Sequence, residues 1–373
     1  MSDHTLTIIT TVYNVEKYLK HFFENLQQQT FSDYELLIVD DGSSDNTLAV
    51  CREHSVQDDR IRIFSVEHIG ISAARNLALE SVTTPFAASL DADDSFDKDY
   101  LKHLVDAQKK YDADLVISNV IYCGKNGTEL ERFKFREEGF FTKEDFRWLF
   151  AALLDEDRLN YLYGKLYRTE LLHGIRVEED VRQGSDTMIN CQYIMKIDNL
   201  AVIENYDYYY DMTNSTSVTS YVGKDVFTRL CRINSFVYDM MEQNGYVDDE
   251  MVRVIDGRVL LGGRRAAYKI IVSKEKRRSK KQRVSDIFSS EEYCQPYLRQ
   301  KERNNLQSYK REVIEPGKEM DFYLYTERRI KEEKRRERIQ KRIGKLIELL
   351  PDRFIAFERG LRVKLGLRKP DNT

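Results

Sequence analysis

The chain has 373 residues, 41% hydrophobic and 33% charged, enough apolar content for a sizeable core but too long for one compact unit of ordinary size. No apolar run reaches membrane-spanning length, and Met1-Ser2-Asp3-His4 lacks the basic and apolar regions of a signal peptide, so a cytoplasmic protein is expected. Five scattered cysteines (Cys51, Cys123, Cys191, Cys231 and Cys294), odd in number and without metal-ligand spacing, argue against a disulfide framework or a zinc site.

The net charge of -4 conceals an asymmetry. Residues 1–220 carry 22 Lys and Arg against 39 Asp and Glu, whereas 221–373 carry 37 against 24. An acidic part suited to metal and substrate is thus followed by a basic part that would face something anionic.

Leu6 to Val12 is β-branched and apolar, as in a strand buried on both faces. Tyr13-Asn14 breaks it, and Val15, Leu19, Phe22, Phe23 and Leu26 follow at helical spacing. A second buried strand, Glu35 to Val39, ends in Asp40-Asp41-Gly42, with Ser43 or Ser44 able to cap the next helix. Ile61 to Val66 reads as a third strand, and Gly70 to Asn76 opens a helix. The fourth strand, Phe86 to Leu90, ends in Asp91-Ala92-Asp93-Asp94. The two-residue period of a strand would put Asp91 and Asp93 on one face, within reach of a single hard cation such as Mg²⁺ or Mn²⁺ that shares its shell with a diphosphate. A solvated turn or a cap for the helix beginning near Lys98 is the plainer alternative. The alternation of strands and helices predicts an α/β unit with a mixed, mostly parallel sheet, whose ligands gather at the carboxyl ends of the strands.

Thr11-Val12-Tyr13-Asn14, Val39-Asp40-Asp41-Gly42-Ser43, Ala74-Arg75-Asn76 and Asp91-Ala92-Asp93-Asp94, in that order and spacing, resemble the family 2 glycosyltransferases of the GT-A fold over about residues 5–215. The resemblance implies a nucleotide diphosphate sugar as donor, a UDP-sugar above all, and transfer with inversion. It matches Thr11 and Tyr13 to nucleobase contacts and Asp41 to a carboxylate that accepts from base or ribose. Arg75 falls beside the pyrophosphate, Asp91 on the ribose side, and Asp93 at the metal, with Asp94 assisting either or capping a helix. The cofactor implied is Mn²⁺ or Mg²⁺, held by Asp93 with Asp91. No G-x-G-x-x-G is present, which disfavours a dinucleotide oxidoreductase.

Further on, Asp114 to Tyr122 is another strand, and Gly124 to Gly127 a turn that could join it to the next. Gly164-Lys165-Leu166-Tyr167 resembles the family segment under the acceptor site; a packed amphipathic stretch is the alternative. Where many relatives carry Glu-Asp this chain has Ser185-Asp186, and Asp186 matches the catalytic base; a helix N-cap is the alternative. Tyr206 to Tyr210 reads first as a packing strand, and Asp211-Met212-Thr213 stands where relatives often carry an arginine.

Beyond about Tyr221 the pattern becomes helical and basic, giving an expected division into a GT-A domain (1–220), a helical domain (221–327) and a basic amphipathic tail (328–373). Val226–Met241 and Met251–Ile271 have helical apolar spacing, and Lys274 to Lys281 reads as a mobile basic connection. Arg328 to Lys345 holds ten Lys and Arg against three Glu, with Ile339, Ile343, Leu346, Ile347 and Leu350 on one face and a further stripe at Phe354, Phe357, Leu361 and Leu365. Such helices suit an anionic membrane surface, so peripheral attachment at the inner face is expected; a coiled coil making a homo-oligomer is the alternative. Nucleic acid is disfavoured, because no aromatics interleave the basic clusters. The acceptor implied is a lipid-linked or polymeric cell-surface glycan. The rival class is a non-catalytic sugar-nucleotide-binding scaffold that recruits partners through its helical tail.

Overall fold

The structure, a computed structural model, describes residues 4–124, 127–213, 225–309 and 312–347. It divides into two compact units, Met1–Arg258 and Val259–Thr373.

The first unit is built on a 10-stranded sheet. Strands β1 (Leu6–Val12), β2 (Tyr34–Asp40), β3 (Ile61–Ser65) and β4 (Phe86–Ser89) form a parallel block in the order β3-β2-β1-β4. The sheet continues through β9 (Lys165–Arg168), β6 (Leu115–Cys123), β10 (Asn199–Asp211) and β5 (Ser95–Phe96). Two further strands, β7 (Glu129–Phe133) and β8 (Gly139–Thr142), pair with β6 and β10. Beyond β4 the pairing is mixed: β9 is antiparallel to both β4 and β6, while β10 runs parallel to β6.

Alternation along each strand feeds two cores. Ile9, Leu37 and Val39 point into one with α3 (Ile71–Glu80), α5 (Phe146–Asp155) and α7 (Ser185–Ile194). Leu6, Ile8, Leu36 and Ile38 point into the other with α1 (Glu16–Gln27) and α4 (Tyr100–Tyr111). The stripe anticipated in α1 is the buried one, Leu19, Phe22, Phe23 and Leu26. Helices α2 (Thr47–Gln57) and α6 (Thr169–Leu172) complete the connections. No serine caps α2: Asn46 is its N-cap, and Asn14 instead accepts from the Ser44 amide at 2.8 Å and the Asp45 amide at 3.3 Å. Asn14 can do this because it sits in the left-handed region, φ 54°.

The first unit does not end with the sheet. Helix α8 (Val226–Gln243) and the opening of α9 (Asp249–Val272) belong to it, since Val237, Met241, Met251, Val254 and Ile255 enter the same core as α7. The expected break at residue 220 lies outside the described residues, as do Asn214 to Ser217 and the stripe from Phe354 to Leu365.

In the second unit, α10 (Arg277–Ser289), α11 (Glu291–Glu302) and α12 (Glu319–Ile347) follow the rest of α9. Lys274 to Lys281 is therefore no mobile connection: α10 starts within it, because Val284, Ile287 and Phe288 give the segment an apolar face to bury. The Tyr293 hydroxyl ties to Ile314, donating to its carbonyl at 2.8 Å, and Arg277 meets Glu327 with two nitrogen–oxygen contacts of 3.0 and 2.9 Å. Residue 328, expected to start the tail, lies inside α12. Residues 331–341 of that helix are all exposed, Ile339 among them. No helix among the described residues is long and apolar enough to cross a membrane.

Candidate active site

The order β2-β1-β4 places three polar strand ends side by side, with Val12 paired to Asp40 and Ile9 to Ser89. Neighbouring strands lie about 4.8 Å apart, so side chains from all three ends share one rim.

At the β2 end, Asp41 is almost completely buried. Its carboxylate accepts from the Ile69 amide at 2.7 Å and the Gly70 amide at 3.1 Å, and it lies 3.0 Å from Nδ1 of His68. The residue matched to a base or ribose contact thus organises the 68–70 loop through both oxygens. Gly42 follows because a Cβ there would stand 2.7 Å from the His68 amide nitrogen, and its φ of 70° suits glycine. Tyr13, 45% exposed, stacks on His68 with ring centroids 4.4 Å apart. Sequence reasoning did not find His68; a lone polar residue before Gly70 gave no signal.

At the β4 end, Asp91 and Asp93 are half-buried, whereas Asp94 turns inward and is 1% exposed. Asp94 accepts from the Tyr208 hydroxyl at 2.7 Å and from the Asp211 amide at 2.9 Å, which ties the acidic turn to β10. It does not cap the following helix: α4 begins at Tyr100, behind Asp99. Burial, then the charges of Asp91 and Asp93, push its carboxyl well above the usual range. Burial also pushes Asp91 up to about 7, helped by Asp93 and opposed by the Arg75 guanidinium.

The third wall comes from α3 and α7. Arg75 pairs with the carboxylate of Asp186 and donates to Ser185 Oγ at 2.6 Å. Its neighbours on α3 hold the loop that delivers α7: Ser72 Oγ donates to the Val181 carbonyl, and Asn76 exchanges two hydrogen bonds with the Val177 backbone, at 2.8 and 3.0 Å. The Ala-Arg-Asn motif therefore supplies one cation and one loop clamp. Asp186 is not the cap of α7. Gly184 is at that position, and Asp186, one residue into the helix, spends its carboxylate on Arg75. A cavity of about 20 Å³, room for one water, lies among Thr11, Ser89, Arg75 and Tyr167.

Lys165 is completely buried. Its amine donates to the Tyr161 carbonyl at 2.7 Å and sits 4.0 Å from that tyrosine's ring centre. Burial, then Arg158, drive its pKa well down, while Asp186 opposes. Of the tyrosines of β10, Tyr208 packs as expected, 0% exposed and stacked on Tyr163 at 4.6 Å, while Tyr206, Tyr209 and Tyr210 are half-buried.

Arg75, Asp91, Asp93 and Asp186 therefore meet at one place, with Thr11 beside them and Tyr13 and Asp41 along the same rim. Among the described residues no group of three or more His, Cys, Asp and Glu side chains could hold a metal ion by itself. Two hard carboxylates at Asp91 and Asp93 fit a divalent cation that takes its other ligands from a phosphate-bearing substrate. Burial, with the Asp93 charge beside it, disfavours the bare Asp91 carboxylate, and a bound cation would favour it.

Beside this geometry, residues 7–169 match the model of glycosyl transferase family 2. That match spans 163 of the 373 residues. Glycosyltransferase GlyA of Streptococcus pneumoniae is 30% identical over 195 residues, 50% of this chain and 28% of that protein. The teichoic acid poly(glycerol phosphate) polymerase of Staphylococcus epidermidis is 29% identical over 209 residues, 55% of this chain and 28% of that protein. The chain thus spans well under half of either relative. The crystal structure of S. aureus TarS 1-349 shares the fold, with a TM-score of 0.62, 17% identity, and 88% of this chain and 91% of that chain covered.

Proposed function

We propose that the chain transfers a sugar from a nucleotide diphosphate donor, of the UDP-sugar class, to a hydroxyl of a cell-surface glycan or lipid-linked acceptor, with inversion at the anomeric carbon. The observation that carries this reading is the meeting of Arg75, Asp91, Asp93 and Asp186 at adjoining strand and helix ends within a family 2 domain. The donor class is supported by the shared fold of TarS, which has been crystallised with UDP and with UDP-GlcNAc. The acceptor class is supported by the teichoic acid polymerase among the relatives.

In the proposed reaction Asp186 takes the proton of the acceptor hydroxyl as its oxygen attacks the anomeric carbon, and the bond to the diphosphate breaks with its electron pair on the departing oxygen. Arg75 lies where its guanidinium can turn from Asp186 to the phosphate charge that develops. Tyr13 and Thr11 line the base end, and Asp41 keeps the His68 loop in place beside them. Asp91 and Asp93 would hold Mn²⁺ or Mg²⁺, which when bound neutralises charge on the leaving diphosphate.

The charge asymmetry sharpens at the structural boundary. Residues 1–258 carry 27 Lys and Arg against 46 Asp and Glu, and 259–373 carry 32 against 17, balances of -19 and +15. This supports peripheral attachment of the second unit to the anionic inner face of the membrane.

Incubation with a panel of UDP-sugars and Mn²⁺, with UDP release as readout, tests the reading. Release from at least one donor is expected. Nucleotide binding without release from any donor, in the presence of membrane extracts as acceptor source, would instead identify a binding scaffold.

A further inference from the structure

We infer that Arg258, far along the chain from the family motifs, is a positioning residue for the reaction, holding through Asn160 and Thr187 the first turn of α7 that carries Asp186. This rests on Asp186 being the base.

Arg258 closes the first unit from α9, with its side chain 13% exposed. Its planar fork reaches three elements at once. Nε donates to Asn234 Oδ1 on α8 at 2.9 Å, Nη1 to the Leu154 carbonyl ending α5 at 3.0 Å, and Nη2 to Asn160 Oδ1 at 2.9 Å. The Asn160 oxygen is shared, for it also accepts from the Thr187 hydroxyl at 3.1 Å. Thr187 directly follows Asp186 and is 3% exposed, so the link lies inside the packed protein. The other end of Asn160 is held too: Nδ2 donates at 2.6 Å to Asp157 Oδ1, which lies 3.3 Å from Arg258 Nη1.

The attachment repeats one turn along α7. Asn190 Nδ2 donates to the Leu159 and Tyr161 carbonyls at 3.0 and 2.9 Å, so residues three apart on one helix face grip the same 159–161 segment. Helix α8 adds a contact from above the cap, where Ile233 packs on Gly184. The first turn of α7 is thus held by α3 through Arg75 and by α8, α9 and the 154–160 segment through Arg258. Asp157 already balances the Arg258 charge, which leaves geometry as its contribution. A lysine, with one nitrogen and no fork, could not serve three acceptors in this arrangement. Displacing a catalytic group by about 1 Å can cost about 10²-fold in rate, so loosening this brace should be visible in turnover.

The test compares Thr187→Val and Arg258→Met with the native chain, and each again in an Asp186→Asn background, reading UDP release from a UDP-sugar that turns over. Each single variant should lower kcat by about 10-fold or more while donor KM and the Kd for UDP stay within about twofold. In the Asp186→Asn background neither should lower kcat further, because the residue they position is already disabled. Losses that multiply in that background, or kcat unchanged while only the melting temperature falls, overturn the inference and leave Arg258 a structural residue. Should Arg258→Met fail to fold, Thr187→Val decides alone, since it deletes one hydroxyl at nearly constant volume. Native turnover in Asp186→Asn itself is a separate result, and it removes the base assignment.

Discussion

Arg75 on α3 and Asp186 on α7 are 111 positions apart in the numbering yet form one ion pair, with Ser185 Oγ accepting from the same guanidinium nitrogen at 2.6 Å. The cation matched to the pyrophosphate and the carboxylate matched to the base thus neutralise each other. Asp186→Asn should lower turnover by about 10²-fold or more, the usual scale for losing a general base, with UDP affinity nearly intact because the asparagine still accepts from Arg75. UDP release and calorimetry on the same preparation check both parts.

Asp93→Ala should uncouple UDP binding from metal. With Asp91 left as the lone carboxylate facing the diphosphate, the Mn²⁺ dependence of UDP affinity should largely vanish. Calorimetric titrations with Mn²⁺ and with EDTA measure it, and an unchanged dependence removes Asp93 from the site.

Gly184→Ala should destabilise the first unit by about 1–3 kcal/mol, because two costs combine. The position has φ 88°, and a Cβ would meet Ile233 Cδ1 at 2.1 Å. Ile233→Ala placed on top should recover the steric part alone, leaving the backbone cost. Urea denaturation of the single and double variants separates the two.

Lys165 predicts a pH effect. Burial holds its folded-state pKa well below the ordinary lysine value of 10.5, so over the window between the two the unfolded chain binds the extra proton. Stability therefore rises with pH through that window, by up to about 1.4 kcal/mol per pH unit, and is lowest below the folded-state pKa. Lys165→Met removes this component. Urea unfolding at pH 7, 8 and 9 should show a shallower pH dependence in the variant; parallel curves would mean that the amine keeps its proton when buried.

Replacing Lys334, Arg335, Arg336 and Arg338 by glutamine should release the chain from anionic liposomes at low salt. All four are exposed on α12, and each basic residue near such a surface contributes about 1 kcal/mol. Native binding should weaken as salt shortens the screening length from about 10 Å at 0.1 M to about 3 Å at 1 M. Sedimentation with anionic and neutral vesicles reads this directly, and native binding that is indifferent to salt argues against an electrostatic anchor.

Local pattern carried most of the first unit. Leu6 to Val12 could only be a buried strand, the stripe from Leu19 to Leu26 only an amphipathic helix, and the acidic strand ends stood out because carboxylates closing apolar runs need a partner. The fates of those carboxylates were decided in three dimensions. Asp91, Asp93 and Asp94 are consecutive or nearly so, yet the turn sends Asp94 inward to Tyr208 and leaves the other two at the rim. Asp186 reads equally as cap or site residue until the helix takes Gly184 as its cap and α3 brings Arg75 against the carboxylate. The basic run at Lys274–Lys281 looked like a linker because its burial signal, Val284, Ile287 and Phe288, lies downstream of the charges. Arg258 could not be singled out at all, since a lone arginine in a helical stripe carries no mark of the asparagines it meets. Hydrophobic periodicity is a property of neighbours along the chain and survives in the sequence. Which polar groups pair depends on contacts between residues 24 to 114 positions apart, and only the closed sheet with its crossing helices determines those.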